Sequence, residues 1–314
     1  MSAAASAPAT IANLGPGFDI AGMAIEGYRD LVEISLRDDD VVEVQVEGRE
    51  ADKVDDTPRG NSAAVAASHV LRRAGVRKGF NLKLVKNVPV GVGLGSSGAS
   101  SAAGAYAANL LIGRRLGMRE LVLCAAEGER AACGSPHLDN VAPSLYGGFT
   151  IILDVEGPEI LHVKPMPGFE VIVATPHVSL PKNKTEYARS LLPREVPMET
   201  LVRQQASVAR LVASILKGDL EQFGKAVSMD HVVEPARAGM IPGFREVKER
   251  ALENGALGLS ISGAGPSIFA ITRPQDAEKV AKAIKEAFEE KGVKTSITRT
   301  TPSTTGARPE PTNP

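Results

Sequence analysis

The sequence predicts an α+β protein of two domains with a cleft between them. Segments with strand periodicity alternate with helical segments in both halves of the 314-residue chain. The pattern in which strands and helices alternate changes near residue 165. Hydrophobic residues make up 43% of the chain, which is enough for a buried core. We therefore expect domains at 1–164 and 165–300, with the site in the cleft between them.

In the first half, apolar residues recur with strand character in 31–36, 41–46 and 80–88. Asn61 is placed to cap a helix over 63–73. Further helices are predicted from the end of the glycine-rich segment to about residue 116 and over 119–132, followed by a strand at 149–155.

The second half begins with a short strand at 171–174. Helical faces follow within 201–215 and 244–252, then two strands at 257–261 and 268–272, a helix at 274–291 and a strand at 293–298. After Thr300 the chain is rich in proline, which predicts a disordered tail over 301–314.

Composition excludes several classes of function. The net charge of −1 gives no reason to expect a nucleic-acid or membrane-surface partner, and the absence of Trp argues against base stacking. No segment reaches the ~20 apolar residues of a membrane span. Cys124 and Cys133 lack metal or disulfide spacing. We expect a cytoplasmic protein, with a homodimer left open.

The glycine-rich segment at 89–98 says most about function. It reads Pro89, Val90, Gly91, Val92, Gly93, Leu94, Gly95, Ser96, Ser97, Gly98 and stands between a strand and an alanine-rich helix. Glycines let successive N–H groups converge on one point, and the first N–H groups of a helix are unpaired and carry partial positive charge. The segment therefore predicts a phosphate-binding loop.

Other loops of this kind fit less well. A Walker A loop is excluded because no Lys follows these glycines. A dinucleotide fingerprint fits Gly93, Gly95 and Gly98, but 114–130 is typical of a turn and a helix, not of a strand ending in a ribose-binding acid. A glycine-serine linker is a further alternative, but a linker would not lie between segments with strand and helix periodicity.

Five other groups of residues are candidates for the site, each with a plainer alternative. Asn13 and Asp19 share a turn that could be an ordinary hairpin, and Ser262–Ser267 could be a tight turn. The other candidates are Glu127 and Glu129 (or a solvated acidic turn), His137, Asp139 and Asn140 (or a helix cap), and Arg189 with Arg237 (or surface charges).

Three separated motifs together resemble the GHMP small-molecule kinase superfamily, over nearly the whole chain. They are Ala9–Asp19, the loop Pro89–Ser97 and Ser262–Ser267. The segment from His137 to Phe149, with Arg189 and Glu234–Arg237, resembles the homoserine kinase family in particular. Gly98 departs from the alanine common in the superfamily.

The resemblance implies a GHMP-kinase fold, with an ATP-binding mixed α/β domain before a ferredoxin-like α+β sandwich. It also implies phosphorylation of L-homoserine by ATP, a step of threonine biosynthesis. ATP phosphates would lie in the 89–98 loop, adenine near Asn61 and Ser62, and Mg²⁺ at Ser97 and Glu129, with Glu127 the alternative. The implied substrate residues are Asn13, Asp19, His137, Asn140, Arg189, Arg237 and Gly263.

Phosphoryl transfer to an alcohol mostly requires positioning and stabilisation of negative charge. The residues expected at the reacting atoms are Asp139, Asn140, Thr185 and Lys86. Asp139 is the nearest candidate for a general base. Direct transfer without a base is the favoured interpretation, because Asp139 and Asn140 are equally well explained as a cap that orders the loop. A kinase of mevalonate or shikimate, a dehydrogenase and a non-catalytic binding relative remain alternatives.

Overall fold

The computed structural model describes residues 2–157, 159–181 and 184–312. The first domain is built on an antiparallel sheet with one parallel pair. Its strands from the first half of the chain are β1 (Ser2–Ala12), β2 (Ala21–Leu36), β3 (Val42–Glu47), β4 (Phe80–Val85), β5 (Phe149–Asp154) and β6 (Glu159–Val163). Its helices are α1 (Ser62–Arg73), α2 (Ser96–Leu111), α3 (Met118–Cys133) and α4 (Leu138–Tyr146), with a 3₁₀ turn at Ala51–Lys53.

The long strand β2 organises this sheet. It pairs with β1, β4 and β5, while β3 and β4 run parallel around α1 as a βαβ unit. Sequence analysis missed β1 because its alanines and serines have little strand propensity. Burial explains the strand instead: nine of its eleven residues are buried.

Small residues let the helices of the first domain approach closely. A side chain at Gly104 in α2 would stand 2.4 Å from Ala63 O, and one at Gly128 in α3 would stand 2.3 Å from Ser62 O. The alanine-rich face of α2 therefore packs directly on α1 and α3, and this packing sets the direction in which the start of α2 points.

The second domain is a four-stranded antiparallel sheet with helices. Its strands are β7 (Glu170–Pro176), β8 (Ala256–Ile261), β9 (Ile268–Thr272) and β10 (Thr295–Thr300), in the order β10-β7-β9-β8. Its helices are α5 (Lys184–Ser190), α6 (Met198–Lys217), α7 (Leu220–Val227), α8 (Val233–Arg237), α9 (Phe244–Glu253) and α10 (Ala277–Glu290), with a 3₁₀ turn at Ala238–Met240. This strand order confirms the predicted ferredoxin-like sandwich.

An apolar core joins the two domains. Phe149 of the first domain packs edge-on against Phe223 of the second, with ring centroids 5.3 Å apart, and Phe169 adds a third ring. All three side chains are buried. The chain crosses between the sheets after Val163 and before Glu170, close to the predicted domain boundary.

The prediction of a disordered tail from residue 301 is wrong for residues 301–312; Asn313 and Pro314 lie outside the described residues. Strand β11 (Arg308–Glu310) adds to the edge of the first sheet beside β1, which brings that sheet to seven strands. Arg29 donates to Gly306 O at 2.6 Å. Pro309 fits because an edge strand tolerates a missing N–H, so a proline-rich composition does not exclude pairing here.

None of the helices in the described part of the chain combines the length and hydropathy that crossing a bilayer requires.

Candidate active site

A cavity of about 680 Å³ lies between the two domains. The first domain contributes the glycine-rich loop, the start of α2 and the end of α3, and the second contributes the start of α5 and the turn between β8 and β9. The predicted site residues that line it are Asn13, Asp19, Ser62, Lys86, Val90, Gly91, Gly93, Leu94, Gly95, Ser96, Ser97, Glu129, His137, Asp139, Asn140, Thr185, Arg189, Arg237 and Gly263.

The glycine-rich loop is held by its carbonyl groups. Ser262 Oγ donates to Gly93 O at 2.6 Å, and Ser267 N donates to Val92 O at 3.0 Å. Both partners belong to the β8–β9 turn of the second domain, so the loop bridges the cleft. These carbonyls bind protein and Val90 N donates to Glu50 Oε2 at 3.0 Å, so the N–H groups that follow Val90 in the loop are the ones that suit an anion.

Gly95 sets the start of α2. Its φ is +62°, and a side chain there would come within 1.9 Å of Thr10 Oγ1. Only glycine fits this left-handed turn, after which the first N–H groups of α2 have no acceptor within the helix. Ser96 Oγ donates to Val88 O at 2.8 Å and anchors the turn, whereas Ser97 Oγ lies 3.4 Å from Cys133 Sγ.

Lys86 is held beneath the loop. The side chain is fully buried and its ammonium donates to the Asp30 carboxylate, to Ser96 O at 2.7 Å and to Ser100 Oγ at 2.9 Å. These acceptors take all three N–H donors of a lysine. Burial lowers the pKa of Lys86, and the Asp30 charge opposes that shift. The predicted catalytic role is corrected to a positioning one, because no donor is left for a phosphate oxygen.

Glu129 is the buried carboxylate of the cavity. Glu129 is on α3, and its Oε1 accepts a hydrogen bond from His137 Nδ1 at 3.1 Å. Its Oε2 has no hydrogen-bond partner among the described residues. Burial lowers the pKa of His137, but hydrogen bonds with Cys133 and Glu129 outweigh it and raise the pKa to about 10. The alternative ligand Glu127 does not line the cavity and instead pairs with Arg130 at 3.3 Å.

Asp139 lies at the start of α4 and is 2% exposed. Burial, then the nearby Asp19 charge, raise the pKa of Asp139 to about 7. The alternative of a capping role is not supported, because the N-cap of α4 is His137 and it makes no side-chain cap bond. Asn140 accepts from Thr10 Oγ1 at 2.9 Å, which fixes the amide over Gly95.

Opposite charges meet where the domains face each other. Arg189 Nη2 donates to Asp19 Oδ2 at 3.0 Å. Arg237 is buried and donates to Gly263 O at 3.0 Å. Both guanidiniums lie over the ring of Phe18, at 5.6 and 5.2 Å from its centroid. Phe18 therefore orders two cations that would otherwise repel each other.

Backbone strain is concentrated in the turn that carries Asn13 and Asp19. Both have positive φ, at 73° and 60°, as does Leu14 at 50°. Asn13 Nδ2 donates to Gly263 O at 3.1 Å, and Asn13 Oδ1 accepts from Asp19 N at 3.2 Å. The Asn13 amide thus clamps this turn to the opposite domain. Strained backbone of this kind is typical of functional sites.

The structure does not bring Asn61 to the cavity. Asn61 is fully buried and caps α1, accepting from Ala63 N and Ala64 N at 3.1 Å each. The side chain of Asn61 therefore forms the predicted cap, which the structure confirms, and adenine near Asn61 and Ser62 stays a prediction. Ser62 does line the cavity, and the cap is what orients it.

Comparison with known proteins decides the family. The chain matches the model for the GHMP kinases N terminal domain over residues 61–148 and that for the GHMP kinases C terminal over 211–290. It is 43% identical to the homoserine kinase of Pyrococcus furiosus, over 91% of this chain and 93% of that protein. The homoserine kinase of Methanococcus vannielii is 38% identical, over 90% and 91%.

The crystal structure of homoserine kinase from Cytophaga hutchinsonii agrees with this chain at a TM-score of 0.90, with 36% identity and coverage of 98% and 97% of the two chains. The chain belongs to the homoserine kinases, a family of the GHMP kinases. The family's two domains are those described above, and the cavity lies between them.

Phe18, Cys133 and Lys184 are among the cavity residues that the sequence analysis did not place in the site. Lys184 begins α5 and donates to Gly265 O; burial lowers its pKa to about 8. The sequence signal that could have found Lys184 was its position directly before Thr185. Phe18 adjoins Asp19 in the N-terminal motif. Cys133 lies four residues after Glu129 and four before His137, and this spacing was the signal that could have found it.

Proposed function

We propose that this chain transfers the γ-phosphoryl group of ATP to the hydroxyl of L-homoserine, giving O-phospho-L-homoserine and ADP, a step of threonine biosynthesis. One observation carries the proposal: a single cavity combines a glycine-rich loop opening a helix with Asp19, Arg189 and Arg237 on its far side. The first part suits a phosphate chain and the second an amino-acid zwitterion. The names of the relatives support the same reaction.

The phosphates of ATP would lie against the loop 89–98 and the start of α2. The free N–H groups there offer hydrogen bonds together with the positive end of the helix dipole. The Asp30–Lys86 pair beneath the loop keeps this arrangement in place before ATP arrives, so little reorganisation is needed during the reaction.

Ser97 and Glu129 would hold Mg²⁺. The fit rests on Glu129 Oε2, a buried carboxylate oxygen without a hydrogen-bond partner among the described residues, and on the hydroxyl of Ser97 in the same cavity. Hard cations take oxygen donors of this kind. When bound, Mg²⁺ neutralises negative charge on the phosphates. The hydrogen bond from His137 keeps Glu129 oriented toward the cavity.

Homoserine would be bound by its charges. Asp19 suits the ammonium, and the forks of Arg189 and Arg237 suit the carboxylate. The ion pair between Asp19 and Arg189 keeps both groups in one place and gives way to the two ends of the zwitterion. Phe18 sets how closely the two arginines approach.

Asp139 is the group best suited to take the proton of the homoserine hydroxyl. A carboxyl whose pKa is about 7 has the value that a general base at neutral pH needs. Thr185 and Asn140 would orient the hydroxyl. Lys184, which lines the same cavity, would offset charge on the transferred group.

A reducing compartment such as the cytoplasm fits the chemistry of the cysteines. Cys124 and Cys133 are both free thiols in the described structure.

The experiment is a coupled assay of ADP release with L-homoserine, mevalonate, shikimate and galactose, with the product identified by mass spectrometry. We expect ADP release to require L-homoserine, because the other three acceptors lack an ammonium group. Equal or faster turnover with mevalonate or shikimate would overturn the proposal. Binding of ATP without turnover on any acceptor would favour a non-catalytic relative.

A further inference from the structure

Cys133 stands where a cysteine has no role in the reaction proposed above. It is the last residue of α3, half-buried, and lines the cavity with its Sγ 3.4 Å from Ser97 Oγ. Glu129 lies one helical turn earlier, so the two side chains leave the same face of α3. His137 occupies the N-cap position of the next helix, and its ring bonds to both Glu129 and Cys133.

These three side chains form a compact donor set. Cys133 Sγ, one ring nitrogen of His137 and one carboxylate oxygen of Glu129 all lie within 4.8 Å of one another. Ligands of a tetrahedral zinc ion stand about 3.3–3.8 Å apart, given bonds of about 2.0–2.3 Å. Closing the set requires movements of about 1 Å at the ends of side chains.

A second observation points to a cation. Glu129 is 3% exposed, and its Oε2 has no hydrogen-bond partner among the described residues. A buried carboxylate oxygen without a donor is costly unless a cation occupies the space it faces. Thiolate and imidazole ligands select Zn²⁺ or a similar thiophilic ion over Mg²⁺, which takes oxygen donors.

We propose that Glu129, Cys133 and His137 form a binding site for a thiophilic divalent cation of the Zn²⁺ type, overlapping the position proposed for Mg²⁺. Three protein ligands leave a fourth position for water or chloride on the cavity side. The thiol and the imidazolium release their protons to solvent as the ion binds.

Binding at this site makes the chain sensitive to zinc. The ion takes Glu129 away from the magnesium position and lies against Ser97, so it excludes the phosphates of ATP from the start of α2. This consequence rests on the proposed kinase function; the binding itself does not.

Zinc binding is measured on the full chain without nucleotide, by competition between the protein and a chromophoric zinc chelator. We expect one site per chain, weakened by more than about tenfold in Cys133→Ser, since loss of even an outer partner of a metal ligand costs that much. Cys124→Ser is the matched control, because Cys124 is buried elsewhere on α3. Equal affinity in wild type and Cys133→Ser would overturn the site.

Two further readouts report on the thiolate of Cys133 directly. Co²⁺ should give a thiolate charge-transfer band in wild type and not in Cys133→Ser, whose folding is checked by thermal unfolding. In wild type alone, Zn²⁺ should slow alkylation of Cys133, mapped by mass spectrometry. Absence of the band, or unchanged alkylation at saturating Zn²⁺, contradicts the proposal.

Inhibition separates the two proposals. Zn²⁺ should inhibit ADP release in wild type and chelator should restore it, while Cys133→Ser, compared with its own uninhibited rate, should resist at least tenfold more zinc. Binding with undiminished turnover would overturn the inhibitory overlap. A chain that binds zinc but releases no ADP with any acceptor would count against the kinase function and leave the metal site intact.

Discussion

Asp19 and Arg189 form an ion pair across the cleft, with Asp19 Oδ2 3.0 Å from Arg189 Nη2. One belongs to the strained turn after β1 and the other to α5 of the second domain. The two ends of an amino-acid zwitterion need charges of these two signs held close together. Both side chains of the pair are also partly exposed. We therefore expect the pair to contribute to substrate binding and little to the stability of the fold.

Asp19→Asn should raise the KM for homoserine by roughly 10–100-fold, because a hydrogen bond to a charged group contributes about 1.5–3 kcal/mol. The free energy of unfolding should change by less than about 1 kcal/mol, as for other exposed pairs. Asparagine tolerates the positive φ of this position. Steady-state kinetics and urea unfolding check both parts. Glu199→Gln, which breaks an exposed pair with Arg203 on α6, is the control that should change neither.

Arg237→Lys should raise the homoserine KM by roughly 10–100-fold and leave the KM for ATP nearly unchanged, because lysine lacks the fork that binds a carboxylate through two hydrogen bonds. The native side chain is buried and also donates to Ala188 O. Thermal unfolding therefore accompanies the kinetics. A parallel rise in both KM values would show that the change disturbs the whole cleft.

Glu129→Gln should lower the rate of phosphoryl transfer by about 10²-fold or more, the range for loss of one positioned charge-stabilising group. Glu127→Gln is the matched control, two residues away on the same helix but paired with Arg130 outside the cavity. Single-turnover rates at saturating ATP measure the effect. Normal turnover in Glu129→Gln beside a defect in Glu127→Gln would move the metal ligand to Glu127.

We expect the pH profile of kcat/KM for homoserine to have an acidic limb that is set by Asp139. A general base works only when ionised, so activity falls as the pH drops below the pKa of about 7 and reaches a plateau above it. Asp139→Asn should remove this limb and lower the plateau by about 10²–10⁴-fold. A loss under about tenfold, with the limb retained, would favour direct transfer, in which the hydroxyl proton goes to the phosphate.

Lys86→Met should destabilise the fold by about 3–5 kcal/mol, because it leaves the buried Asp30 carboxylate without its cation. Urea unfolding measures the loss. Lys83→Met, on β4 three residues before Lys86, is the control, since its pair with Glu47 is largely exposed and should contribute little to stability. Full stability in Lys86→Met would contradict the role of the pair beneath the loop.

The sequence by itself determined the features that depend on neighbours in the chain. The glycines at 91, 93 and 95 and the alanine-rich helix after them are local signals, because the backbone angles and unpaired N–H groups belong to consecutive residues. Apolar periodicity likewise placed most strands and helices. The ferredoxin-like order of the second sheet came through resemblance, since periodicity carries no pairing information.

Tertiary structure alone decided the contacts between distant segments. Lys86 meets Asp30 across 56 positions, and Ser6 meets Glu310 across 304, which turns a proline-rich tail into an edge strand. Cys133 Sγ likewise comes within 3.4 Å of Ser97 Oγ across 36 positions, whereas Glu129 and His137 are each only four residues from Cys133 in the sequence. The role of Lys86 changed because a buried polar group must find its partners wherever the packing brings them, and local sequence does not record which groups those will be.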